Sequence, residues 1–185
     1  NISPMNGEVY SLIADSDEID VQNAINAANK ASQSWAQTNP SERSQILIKM
    51  ASIIDSKRDE LAKAETIDNG KPIRLSKQVD IPRSSSNLKF FAEMISQFKG
   101  EHFPTEEHVF NYTIRKPLGI VACISPWNLP LYLLTWKIAP ALITGNTVVA
   151  KPSEITPMTA FLLGKIANEA GLPPGVLNIV HGTGD

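Results

Sequence analysis

Between residues 119 and 150 the apolar positions fall into three blocks of different length. Residues 119–125 form a short continuous run of strand length. Residues 131–143 form a run long enough for a helix, closed by Gly145-Asn146. Residues 147–150 are again strand-sized and end in Lys151-Pro152-Ser153-Glu154. Short apolar runs bounded by turn residues read as buried strands, and a crossover of a dozen residues makes the two strands parallel. The first strand enters the helix through a punctuated turn, Pro126-Trp127-Asn128-Leu129-Pro130. Asn128, Lys151 and Glu154 therefore fall just beyond the carboxyl ends of neighbouring strands, where open parallel sheets bind ligands. A third strand-like run, residues 176–180, leads into His181-Gly182-Thr183-Gly184. The expected class is α/β: a partial, incomplete Rossmann-like parallel sheet preceded by helices.

Upstream, the period changes from strand-like to helical. Pro4-Met5-Asn6-Gly7 predicts a turn, and residues 8–13 a short strand. Ser16 or Asp17 can cap a helix whose apolar positions are Val21, Ala24, Ile25, Ala28, Ala31 and Trp35. Asn39, Pro40 and Glu42 form a strong start signal. The helix they open buries Ile46, Leu47, Met50, Ile53, Ile54, Leu61 and Ala64, and Asn69-Gly70 with Pro72 stops it. Asp80 is read as the cap of a third helix with Leu88, Phe91, Ile95 and Phe98 on its apolar face. Residues 102–116 are β-prone without clean alternation, which suggests an edge strand. After the central unit, Thr156 and Pro157 open a helix that faces Phe161, Leu162, Leu163, Ile166 and Ala170 inward. These stripes read as core packing.

Composition narrows the function classes. The 185 residues are 42% hydrophobic and 19% charged, with a net charge of −2. That balance carries no footprint for nucleic acid or a membrane surface. Lys137 interrupts the longest apolar run, so no membrane span is expected. The lone cysteine, Cys123, excludes an internal disulfide and favours a reducing, cytoplasmic setting. It lies in the middle of a predicted strand and reads as a buried structural thiol, not a nucleophile. His102, His108 and His181 lack metal-ligand spacing, so no metal is expected. The chain opens at Asn1 and closes inside a glycine loop, so we expect the N-terminal part of a longer protein, with a preceding targeting segment left open.

Candidate chemistry sits at the strand ends. Lys151 as donor and Glu154 as acceptor can address the two hydroxyls of a ribose. A carboxylate there favours a free 2′-hydroxyl over a 2′-phosphate. The alternative is a solvated ion pair closing a strand, and the GxGxxG fingerprint is absent. Asn128, boxed between Trp127 and Leu129-Pro130, can donate its amide to a developing oxyanion, or it can simply stabilise its own turn.

Taken together, PWNLP, TWKIAPAL, GNTVVAKPSE and GLPPGVLNIVHGTG resemble the NAD(P)-dependent aldehyde dehydrogenase superfamily over nearly the whole chain. DIPRS and PWNLPLYLLTWKIAPA are most similar to its 2-aminomuconic/2-hydroxymuconic semialdehyde dehydrogenase subgroup. The resemblance implies oxidation of a small-molecule aldehyde to an acid with NAD as cofactor, through a thioester on a downstream cysteine. It implies that Asn128 contributes to the oxyanion hole. It implies that Lys151 and Glu154 hold the adenosine ribose, with Ser153 between them also in the cofactor site. It implies that Ile124, Ser125, Pro126 and Trp127 line the cofactor cleft, with Gly184 near the adenine end. It points to Arg83 as the partner of a substrate carboxylate, against a plain surface charge on a helix. Asp185 departs from the proline common at that place. The implied division is residues 1–107 as the helical part of the cofactor domain, 108–117 as an oligomerisation strand, and 118–185 as the first half of the NAD-binding unit. The catalytic domain lies outside the chain, so these residues alone are expected to be inactive, and the complete protein to be a homodimer or homotetramer. Two other functions fit the same motifs: a non-catalytic nucleotide-binding or scaffolding relative, and a CoA-acylating aldehyde dehydrogenase.

Overall fold

The computed structural model describes residues 1–183. Helix α1 (Glu18–Gln37) starts on a reciprocal cap. Asp17 accepts from the Ile19 and Asp20 backbone N–H groups at 2.8 and 3.0 Å, and Asp20 returns the bond. Ala28, Ala31 and Trp35 are buried, whereas the earlier stripe positions Val21 and Ile25 are exposed. Helix α2 (Pro40–Ser56) uses the predicted cap: Asn39 accepts from Ser41 N at 2.9 Å. The long helix expected from this cap is in fact two. The chain bends at Lys57, and α3 (Arg58–Asn69) follows. No glycine or proline marks that bend. Gly70, at φ 74, closes α3 in the left-handed region as expected.

The next helix also departs from expectation. It starts before Asp80, as α4 (Ile73–Leu75), and passes through a π-helical turn (Ser76–Asp80) into α5 (Ile81–Met94). Asp80 is therefore inside the helix, and its side chain caps nothing. A short 3₁₀ turn, Ile95–Gln97, ends the run. The predicted strand at residues 8–13 is reduced to a single bridge between Ile2 and Val9. The β-prone segment is a separate antiparallel hairpin, β1 (His102–Glu106) with β2 (Val109–Tyr112), turned at His108 with φ 78. It does not extend the main sheet.

That sheet is parallel, in the order β3 (Ile120–Ile124), β4 (Thr147–Lys151), β5 (Leu177–Ile179). The crossovers are α6 (Pro130–Ile143) and α7 (Met158–Ala170). Helix α1 packs against all three strands, and α2 packs against α5, α6 and α7. Trp35 Nε1 donates to Leu142 O, and Arg43 Nε donates to Ile143 O, both at 3.0 Å. The Arg43 bond satisfies a carbonyl at the end of α6, and the Trp35 bond is a second one to Leu142 O, which also accepts from Gly145 N at 3.0 Å. The core runs through Trp35, Leu47, Met50, Ile54, Leu88, Leu134, Ile138, Val148 and Leu163. Cys123 is buried in it, and burial pushes its thiol up, as suits a structural cysteine.

Three further expectations change. Thr156 is buried but does not cap α7; the Met158 N–H is taken at 2.8 Å by Asp68 Oδ2, from the end of α3. Phe161, read as inward, is exposed. The continuous apolar run of β3 is covered on one face only, since Ile120, Ala122 and Ile124 are exposed. No helix among the described residues is long and apolar enough to cross a membrane.

Candidate functional site

The register of the sheet places the two candidate groups side by side. Ile124, the last residue of β3, pairs with Lys151, the last of β4. The ladder continues one step further, where Ser125 N donates to Lys151 O at 3.1 Å. Ile124, Ser125, Pro126, Trp127 and Asn128 therefore leave the sheet next to Lys151, Pro152, Ser153 and Glu154. Ile124 is 68% and Trp127 56% exposed, so two large apolar side chains border this edge uncovered. Asn128 is exposed in the turn that enters α6. The bond it makes is through its main chain: Lys71 Nζ donates to Asn128 O at 3.1 Å.

Lys151 and Glu154 form the expected pair, with Nζ 3.5 Å from Oε2. Lys151 also donates to Pro152 O at 3.2 Å, and Ser153 Oγ stands 3.4 Å from Glu154 Oε2. The Glu154 backbone N–H first, and the Lys151 charge with it, hold the Glu154 carboxyl below the usual carboxylate range. Glu154 is thus ionised, and both side chains are accessible, one a donor and one an acceptor.

Beside them, Lys151 lines a cleft of about 360 Å³ with Ser16, Asp17, Val180, His181, Gly182 and Thr183. Gly182 makes room there. A side chain at that position would come within 3.2 Å of the Ser16 backbone, and its φ of 150 lies where side chains are rarely tolerated. The bond from Ser16 N to His181 O, 2.8 Å, fastens the β5 tip to the start of α1. No role for His181 was legible in the chain. Burial first, and the Lys151 charge second, depress its pKa, and among the described residues its Nδ1 has no hydrogen-bond partner. Asn128 does not line this cleft. Gly184 lies outside the described residues.

Arg83 is exposed on α5, with its guanidinium 5.3 Å from the centre of the Tyr132 ring, in the first turn of α6. It thus stands at the helix that Asn128 introduces. Asn87 fastens these helices, donating to Tyr132 O at 3.0 Å and Thr135 Oγ1 at 3.1 Å.

Behind the Asn128 turn lies a buried charged group that sequence reasoning missed. Lys71 Nζ is 2.5 Å from Asp80 Oδ2 and 3.6 Å from Glu65 Oε1. The Glu65 side chain is fully buried, and among the described residues neither of its oxygens makes a hydrogen bond of good geometry, although the Leu131 backbone and the Asp80 side chain lie close by. Burial pushes Glu65 up to about 7, against the opposing pull of the Lys71 charge; the nearby Asp80 pushes it further. Among the described residues, no group of three or more His, Cys, Asp and Glu side chains converges on a metal-sized site.

The model of the aldehyde dehydrogenase family matches residues 1–185. The chain is 48% identical over 186 residues to a 2-aminomuconic semialdehyde dehydrogenase of Danio rerio, covering 100% of this chain and 38% of that protein. It is 43% identical over 189 residues to a 2-hydroxymuconic semialdehyde dehydrogenase of Pseudomonas sp. (strain CF600), covering 100% of this chain and 39% of the relative. The chain thus spans under two fifths of the length of these curated relatives. Among solved structures, an indole-3-acetaldehyde dehydrogenase complexed with NAD⁺ superposes with a TM-score of 0.96 at 41% identity, over 99% of this chain and 37% of the other. PnpE in complex with nicotinamide adenine dinucleotide gives 0.97 at 40%, over 99% and 38%. The parallel sheet, the tips that carry Asn128 and Lys151, and these matches lead to one conclusion: the chain belongs to the aldehyde dehydrogenase family.

Proposed function

We propose that the complete protein oxidises an aldehyde to a carboxylic acid with NAD⁺, and that these residues supply part of the cofactor cleft and one oxyanion donor. The observation that carries this reading is the register of β3 against β4. It sets the turn bearing Asn128 beside the Lys151–Glu154 pair at the carboxyl edge of a parallel sheet. The relatives named above act on semialdehydes, and two superposable structures hold the dinucleotide.

The residues present fit that cofactor. Lys151 donates to one ribose hydroxyl and Glu154 accepts from the other, while Gly182 leaves space at the neighbouring tip. The ionised Glu154 disfavours a 2′-phosphate, which selects NAD over NADP. Ser153, beside Glu154, belongs to the same contact. Ile124, Ser125, Pro126 and Trp127 form the adjoining wall. When bound, NAD⁺ supplies the hydride acceptor. The Asn128 amide donates to the oxygen of the aldehyde as charge develops on it. A cysteine outside these residues supplies the thiolate, and water releases the acid from the thioester. Arg83 receives the carboxylate of a semialdehyde through its paired N–H groups. The exposed aromatic residues of the β1–β2 hairpin, Phe110 and Tyr112, suit a contact between subunits in a dimer or tetramer.

The direct test is the full-length protein with NAD⁺ and a panel of semialdehydes and neutral aldehydes, followed by NADH absorbance. No reduction with any aldehyde removes the proposal. Lys151→Ala and Glu154→Ala each weaken NAD⁺ binding about tenfold, as expected for loss of a hydrogen bond to a charged group. Titration calorimetry checks this, and unchanged affinity in both variants leaves the pair a mere strand-end ion pair. Arg83→Ala lowers kcat/KM about tenfold for carboxylate-bearing semialdehydes and spares neutral aldehydes. Equal losses on both substrate types remove the role of Arg83.

A further inference from the structure

We propose that Lys71 is a positioning residue for Asn128: anchored between Asp80 and Glu65, it grips the Asn128 main-chain carbonyl and fixes the turn that presents the amide. This rests on the oxyanion role of Asn128 given above and adds what sets its geometry.

The geometry is built from both sides. Lys71 follows Gly70, whose left-handed backbone ends α3, and Asn69 Oδ1 accepts from Lys71 N at 3.0 Å. A Cβ at Gly70 would meet Pro4 at 3.0 Å, so this corner is tightly packed. The Lys71 side chain is 17% exposed and lies against the nearly buried Asp80, with Nζ to Oδ2 at 2.5 Å. Asp80 occupies this place because the π-helical turn at Ser76–Asp80 carries it there; Ser84 Oγ donates to Asp80 O at 2.8 Å and steadies that turn. π-helical turns within helices recur at functional sites. The buried Glu65 carboxylate, 3.6 Å from Nζ, is the second anchor. Held by these two, the ammonium turns a hydrogen to Asn128 O at 3.1 Å.

Holding that carbonyl sets the Asn128 ψ angle. On the other side, Leu129 stands before Pro130, whose ring disfavours a helical backbone there, and it adopts φ −140 and ψ 70. The backbone carrying the amide is thus clamped at both ends, although its side chain is exposed. An oxyanion donor acts only when placed in advance, and a misplacement of about 1 Å can cost about a hundredfold in rate.

The test is a double-mutant cycle in the full-length enzyme. Lys71→Met is made together with Glu65→Gln and Asp80→Asn, so that no buried carboxylate is left without its cation. It is assayed with and without Asn128→Ala, and thermal melting follows each variant. The expected result is a fall in kcat of about tenfold or more with the KM for NAD⁺ unchanged, shrinking to less than about threefold in the Asn128→Ala background. Asp80→Asn alone, which keeps the shape of the site and leaves Glu65 as counter-charge, runs the same cycle as the milder variant. It shows a smaller loss that also vanishes without Asn128, and it decides the matter should the triple variant not fold. Unchanged kcat, or the same loss in both backgrounds, overturns the proposal. If Asn128→Ala itself leaves kcat intact, the fault lies with the oxyanion reading and the proposal falls with it; a normal Asn128 effect beside a silent Lys71 removes only the positioning role.

Discussion

Asn128→Ala lowers kcat of the full-length enzyme about a hundredfold, equivalent to roughly 3 kcal/mol of barrier, and leaves NAD⁺ affinity close to wild type. The separation follows from where the groups sit. Asn128 leaves the tip of β3 and does not line the cleft that holds Lys151, Gly182 and Thr183. On the proposed oxyanion role, its loss removes a donor needed only as charge builds on oxygen, so kcat and kcat/KM for the aldehyde fall together. Steady-state kinetics with a semialdehyde, beside calorimetric titration of NAD⁺, reads both quantities. A variant with full turnover shows that the asparagine serves only its turn. A variant that loses cofactor affinity in step with turnover shows a deformed cleft instead.

The second large effect is on stability and is carried by Glu65. Burial lifts its folded-state pKa from 4.5 to about 7. A raised pKa means that the folded protein binds the proton more tightly than the unfolded chain. The resulting stabilisation is fully present below about pH 4.5 and is lost as pH rises through about 7. At about 1.4 kcal/mol per unit, the change across this window is on the order of 3 kcal/mol. Glu65→Gln resembles the protonated carboxyl and does not titrate. Its urea midpoint therefore stays above wild type on the alkaline side of the window, and the gap closes on the acid side. Parallel pH dependences for the two proteins rule out Glu65 as the titrating group.

The βαβ pattern from Ile120 to Lys151 was legible because strand and helix periods differ and glycine or proline marks each joint. The Asn39-Pro40 start and the Gly70 stop were legible because capping is a matter of neighbouring residues. The break at Lys57 was not, since no residue of breaking type stands there. Asp80 shows the same limit more sharply. Its type and its place before a proline resemble a cap, but the helix begins at Ile73, and the carboxylate is taken by Lys71. Thr156 lost its expected cap to Asp68, 88 positions earlier in the chain.

By itself, then, the sequence determined most of the local elements, the parallel class of the sheet, the family, and the strand-end placing of Asn128, Lys151 and Glu154. Each of these depends on contacts within a few residues or on a run of matching motifs. Tertiary structure alone decided that Glu65, Lys71 and Asp80 meet, and that Lys71 reaches Asn128, 57 residues away. It also brought Arg83 over Tyr132 and set His181 beside the Lys151 cleft. The physical reason is that burial and charge pairing act through space. A carboxylate and an ammonium far apart in the chain carry no periodic signal, and only the packed fold, by excluding water, makes their meeting count.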